Sequence, residues 1–166
     1  FPRLIIPAST VIVCLIDFLI SFVILLFIML YYQFVPEVKI LLLPLFLFLA
    51  LVTSIGAGLF IAALNVKYRD FRYVIPFIVQ FGLYISPIAF SSADIYNSTR
   101  IPQLVKYIYT LNPMVGIIDG FRWCILGGET PLHLNPFIAS ITVSILLLIM
   151  GIWYFRKMEK SFADVI

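Results

Sequence analysis

The 166-residue chain is 63% hydrophobic and only 11% charged, far from the quarter-charged mixture of soluble domains. That balance specifies an integral membrane protein. Its formal charge of +3 comes from eleven Lys and Arg against eight Asp and Glu, and the basic residues fall in short loops and near the C-terminus, which leaves no basic face for nucleic acid.

Residues 1–7 form a short entry segment at the membrane surface, with Arg3 as its single charge and Pro2 and Pro7 limiting helix there. The chain begins without methionine, a charged n-region or a cleavage site, so a preceding part is expected. Residues 8–32 are almost uninterruptedly apolar, long enough for a first span, and Tyr31 and Tyr32 close it where an aromatic belt belongs. A polar turn over 33–39 carries Pro36, Glu37 and Lys39, and 40–64 is a second span with Pro44 in its first turn. Gly56 and Gly58 are expected to let another helix approach closely.

The stretch 65–76 holds Lys67, Arg69 and Arg72 between long apolar runs. Short cationic loops stay in the cytoplasm during insertion, which makes this loop and both chain ends cytoplasmic. Seven Lys and Arg (Arg3, Lys67, Arg69, Arg72, Arg156, Lys157, Lys160) then lie inside and four (Lys39, Arg100, Lys106, Arg122) outside.

A third span over 73–90, with Pro76 near its start and Pro87 near its end, is short for a full crossing. Gln80, Gly82, Tyr84 and Ser86 make it the most polar span, suited to face a pathway. Residues 91–130 are too apolar for a solvated loop. Helices are predicted over 102–111 and 113–126, with Asn112-Pro113 as cap and start and Gly127-Gly128 as stop. The second is too short to cross and reads as re-entrant or interfacial. Asn135-Pro136 opens a fourth span over 136–155, anchored by Arg156, Lys157 and Lys160.

The chain carries no glycine-rich phosphate loop and no GxSxG, and a single histidine excludes histidine-based metal clusters. It has no engine of its own. His133 reads as a plain interfacial residue. Cys14 and Cys124 read as small apolar side chains. Asp17 is the sharper case: a carboxylate inside a span costs about 2.5 to 3.5 kcal/mol. With Ser21 one turn on, it either bonds to a neighbouring helix or serves the substrate path. Asp119 and Arg122, three apart, can pair on one helix face. Phe77, Phe81 and Tyr84 recur at i, i+4 and i+7, and either pack or form a track for sugar rings.

Several stretches together carry a family resemblance: Phe1 to Pro7, the loop 65–76, Leu111-Asn112-Pro113-Met114 with Gly120-Phe121-Arg122-Trp123, and the closing 155–165. In order and spacing they resemble the ABC-2 type permeases that export polysaccharides and polyol phosphates. The resemblance implies an all-α integral membrane protein with four transmembrane helices plus two short re-entrant or interfacial outer helices, one permease domain over 1–166 and part of a six-span whole. It also implies a homodimer in the bacterial cytoplasmic membrane, a separate nucleotide-binding subunit that holds ATP and Mg, and no cofactor on this chain. By the same resemblance Phe1, Pro2, Arg3, Lys67, Tyr68, Arg69 and Asp70 face that ATPase subunit, and 103–126 narrows the exit. The expected cargo is a lipid-linked polysaccharide or similar glycopolymer. The rivals are an exporter of a small molecule or lipid from the same superfamily, and a membrane polymerase or ligase.

Overall fold

A computed structural model describes residues 5–68, 70–127 and 133–162. In a bilayer a helix satisfies its own backbone, and the long apolar runs take that form. Helix α1 (Ile5–Tyr31, 27 residues) leads through a 3-10 turn (Val38–Leu42) into α2 (Leu43–Lys67, 25 residues). Then come α3 (Phe71–Ile85), α4 (Ser92–Asn97), α5 (Gln103–Thr110), α6 (Pro113–Leu126) and α7 (Leu134–Phe162). Among the described residues three helices are long and apolar enough to cross a membrane: Ser9–Tyr31, Val38–Lys67 and Leu134–Met158.

The end of α1 is set by hydrogen bonds. Gln33 takes a left-handed φ of 52°, its N–H donates to the Leu30 carbonyl, and the Phe34 N–H donates to the Met29 carbonyl at 2.9 Å. That pattern is a Schellman cap with glutamine where glycine is usual. Beyond it Glu37 and Lys39 pair at 2.7 Å, and the Lys39 ammonium lies 5.3 Å from the centre of the Trp123 ring on α6.

Helices α2 and α7 run parallel. Phe46 meets Phe137, Thr53 meets Ser144, Gly56 meets Leu148 and Gly151, and Ala63 with Leu59 packs on Phe155. The close approach comes from small residues, as membrane helices require. A Cβ on Gly56 would lie 2.6 Å from the Leu148 nitrogen, and one on Gly151 would strike the Gly56 carbonyl. Gly56 therefore does what the sequence suggested, whereas a Cβ on Gly58 would meet nothing within 4 Å. Ser140 and Ser144 are fully buried on the same seam; the Ser144 and Thr53 hydroxyls lie 2.6 Å apart.

Parallel packing has a topological cost. Residues 68–133 must bring the chain back from the Lys67 end of the bundle to the Glu37 end before α7 can begin. The 73–90 stretch was expected to do this as one helix; instead α3 stops at Ile85 after 15 residues, about 22 Å at the usual rise. Ser86 and Pro87 end it: the Ser86 backbone is extended and both residues are buried. Three of the four expected spans are thus long apolar helices and the remaining one is the shorter apolar helix α3, after which the chain runs along α6. Helices α3 and α6, 15 and 14 residues long, together match the 29 of α7.

Helix α6 supplies the other half of that crossing. It runs antiparallel to α2, with Cys124 beside Leu43 and Phe46, Gly120 under the Phe46 ring, and Met114 facing a cavity shared with Ser54. Its N-terminus is therefore deep and its C-terminus high, where Gly127 (φ 69°) sits against Glu37. The expected pair of short helices is present, as α5 and α6, and they form a hairpin that turns at Asn112.

Candidate functional site: the hairpin, its clamp and the bare helix α3

The hairpin turn is built by one side chain. Asn112 caps α6 by accepting from the Met114 N–H at 3.0 Å, and its amide donates to the Ser86 hydroxyl at 3.2 Å. One residue thus starts α6 and ties it to the top of α3. Gly116, one turn on, donates its N–H to the buried Ser140 hydroxyl at 3.0 Å, which holds the hairpin against α7. A Cβ there would overlap Ser140 and Pro136.

From Ser86 to Ser91 the chain is not helical, yet it lies within the depth spanned by α6. Irregular backbone at such depth needs its polar groups satisfied by protein. Arg122 does this: its guanidinium donates to the Phe90 carbonyl at 2.7 Å and to the Ile88 carbonyl at 3.0 Å. The expected Asp119–Arg122 ion pair is accordingly not closed. The two share a face, but the guanidinium is turned to the backbone, and among the described residues Lys39–Glu37 is the ion pair within 4 Å. A guanidinium has five donors in a planar fork, and two of its nitrogens serve the carbonyls of Phe90 and Ile88.

Asp119 is buried, and one of its oxygens, Oδ2, has no partner among the described residues. Ser92 hydrogen-bonds it, and the Tyr109 hydroxyl is likewise buried with no partner among the described residues. Asp119 therefore sits in a buried polar centre beside Ser92, the first residue of α4.

The remaining predicted residues fall at three places. Phe1, Pro2, Arg3 and Arg69 lie outside the described residues. Lys67 ends α2 with its ammonium 5.1 Å from the Tyr68 ring centre, Asp70 caps α3 by position without a side-chain bond, and Lys157 stands at the same end of the bundle on α7. Phe77, Phe81 and Tyr84 are 63%, 66% and 70% exposed on a bare face of α3. Asp17 is exposed on α1, and Ser21 bonds its backbone carbonyl, not its carboxylate. No hydrogen bond or ring contact joins Asp17 to the α3 rings.

Two features of the site were missed in the sequence. The first is the Arg122 clamp, for which an arginine inside a largely apolar 14-residue helix was the available sign. The second is the seam of Ser140, Ser144 and Gly151, whose spacing of four and seven marks one face of α7.

The profile of the family described as ABC-2 type transporter matches residues 2–126. The chain belongs to that family. An ABC-2 chain of this kind is a membrane subunit for transport, in keeping with its long apolar helices. Over its full length it is 23% identical to an O-antigen export system permease protein RfbA of Myxococcus xanthus, of which the alignment covers 62%. Two permeases of the same name from Klebsiella pneumoniae are each 25% identical over 169 aligned residues, again across all of this chain and 61% of the relative. The chain thus spans about three-fifths of the length of these relatives.

Proposed function

We propose that this chain is part of the permease of an ABC exporter that moves a lipid-linked polysaccharide outward across a bacterial cytoplasmic membrane, driven by ATP hydrolysis in a separate subunit. The observation that carries the reading is the alignment of the whole chain with permeases named for O-antigen export. The Lys67 end is cytoplasmic on the strength of its basic loop, and both chain ends lie on that side. There Phe1 to Arg3 and Lys67 to Asp70 meet the nucleotide-binding subunit, where ATP and Mg reside. A second copy of the permease completes the pathway.

In this reading the hairpin of α5 and α6 rises from mid-membrane to the outer surface and narrows the exit, while α3 turns its rings to the glycan. Sugar rings slide along aromatic faces because dispersion attracts them without fixing a register. Asp17 joins the same water-filled route, since a carboxylate toward lipid is costly.

The test is biochemical. The full-length permease, purified from its own membrane, should bring an ATPase subunit with it, and a lipid-linked glycan should raise the turnover of that subunit. Replacing Arg69 by Glu should uncouple turnover from export while leaving insertion intact. An ATPase that never co-purifies, or turnover that ignores every glycan yet responds to a small lipid, overturns the assignment.

A further inference from the structure

A cavity of about 570 Å³ opens between α4, α5 and the start of α7, the end of α7 that lies toward Glu37. Its size falls within the range of small-ligand pockets. Six of its residues carry recognition chemistry: Tyr96, Gln103, Lys106, Tyr107, His133 and Asn135. None of its described lining residues is a carboxylate.

The walls are held by contacts already made. The Tyr96 ring is fixed between His133, 5.1 Å away, and Tyr109, 6.0 Å away, and its hydroxyl lies 3.5 Å from that of Thr110. Lys106 is half-buried and donates to the Tyr96 carbonyl at 2.7 Å. An ammonium has three donors, so two remain for a ligand. Tyr107, next to it on α5, is 72% exposed and offers a free ring, while the amides of Gln103 and Asn135 are exposed at the rim. Tyrosine faces, two amides and a fixed cation, with no carboxylate among the described lining residues, match one kind of ligand. The faces suit the apolar side of a pyranose, the amides its hydroxyls, and the ammonium an acidic substituent.

We infer that this cavity is a binding site for an acidic sugar unit, a pyranose bearing a carboxylate or phosphate, at the outer end of the permease. His133, which reads in the sequence as a bystander, forms part of its wall. The inference rests on the reading that a glycan leaves at this end, and it narrows that reading to a charged glycan. A site here would hold the emerging chain after each step and oppose its return.

The full-length permease with its ATPase subunit, in lipid nanodiscs and without nucleotide, is titrated with a glucuronic acid disaccharide and with the matching neutral glucose disaccharide, read by saturation-transfer NMR. The acidic disaccharide should bind more tightly than the neutral one. Lys106→Gln should weaken the acidic ligand roughly five-fold or more, the loss of one charged hydrogen bond, and Lys106→Arg should restore it. Tyr107→Leu should weaken both ligands. If Lys106→Gln does not assemble, the exposed Tyr107 and Gln103 are replaced instead, by Leu and Ala, and the same loss is expected. Equal binding of the two disaccharides, no binding of either, or binding untouched by the variants overturns the inference. Because binding is read without ATP turnover, an export measurement on the same preparation tests the export reading by itself.

Discussion

Against each other, α2 and α7 bury glycine, serine and threonine, and α6 adds two glycines to the same packing; α1 and α3 instead turn Ile, Val, Phe and Tyr outward over nearly their whole lengths. Helix α1 touches the rest through one narrow stripe of Val11, Leu15, Phe18, Phe22, Leu25 and Met29, spaced alternately by four and three. Helix α3 has no buried residue. In a bilayer apolar exposure is not a drive to fold, since lipid is as apolar as Leu; shape and backbone satisfaction decide which helices hold together. The first region is therefore a fixed frame and the second is surface, left for lipid, for other protein or for cargo.

The comparison breaks most sharply at Gly56. Any side chain there meets the Leu147 and Leu148 backbone, which cannot swing aside. Gly56→Leu should separate α2 from α7 and cost about 3 kcal/mol or more, seen as loss of the folded protein in detergent by size exclusion. Gly58→Leu, two residues away with open space around it, should be tolerated. Equal behaviour of the two would remove the seam as the basis of the frame.

Next in size is the clamp. Arg122→Ala leaves the Ile88 and Phe90 carbonyls without donors, at about 1–3 kcal/mol for each. The expected outcome is an inserted protein whose stretch around 86–91 is cut faster by protease and whose export is lost. Lys at this position, a single point donor, should recover only part.

Much of this frame could be read in the sequence, and the reasons for the failures are specific. Hydropathy and length gave α1, α2 and α7, and the cap Asn112-Pro113 gave α6 to the residue, because those signals are local. What holds the chain beyond α3 was not legible: Pro87 is the local sign that the helix stops, since the residue before a proline is kept extended, but the bond from Asn112, 26 residues away, and the clamp from Arg122 come from distant parts of the chain. Nor was the partner of Arg122. Spacing of three puts Asp119 within reach, but only the return of 86–91 along α6 offers the guanidinium two carbonyls. The contact of His133 with Tyr96 was hidden for a similar reason, since Tyr96 lies on a helix six residues long with no periodic signal.

A smaller effect is expected at Asp119, whose Oδ2 is buried without a partner among the described residues. Asp119→Asn removes the carboxylate and keeps its shape, and should stabilise the protein by on the order of 1 kcal/mol. Thermal unfolding at neutral pH checks this. A variant that melts lower would show that the carboxylate is held by bonds and not merely tolerated.

The least effect on stability, and the most telling for function, is expected on α3. Phe81 and Tyr84 face outward and touch no other ring, so replacing either with Leu keeps an apolar surface and should shift stability by no more than about 0.5 kcal/mol. If the rings only met lipid, export would be as indifferent as stability. If they carry the glycan, each ring contributes about 0.5–1.5 kcal/mol of contact with passing sugars, and its loss should slow export roughly two- to tenfold. The Leu exchange separates the two cases because it removes the flat face alone. Export by vesicles that contain the permease and its ATPase, compared at equal amounts of assembled complex, measures it. A rate equal to the parent for both variants would return α3 to the status of a lipid-facing helix and move the path to surfaces that α1 or a second copy supplies.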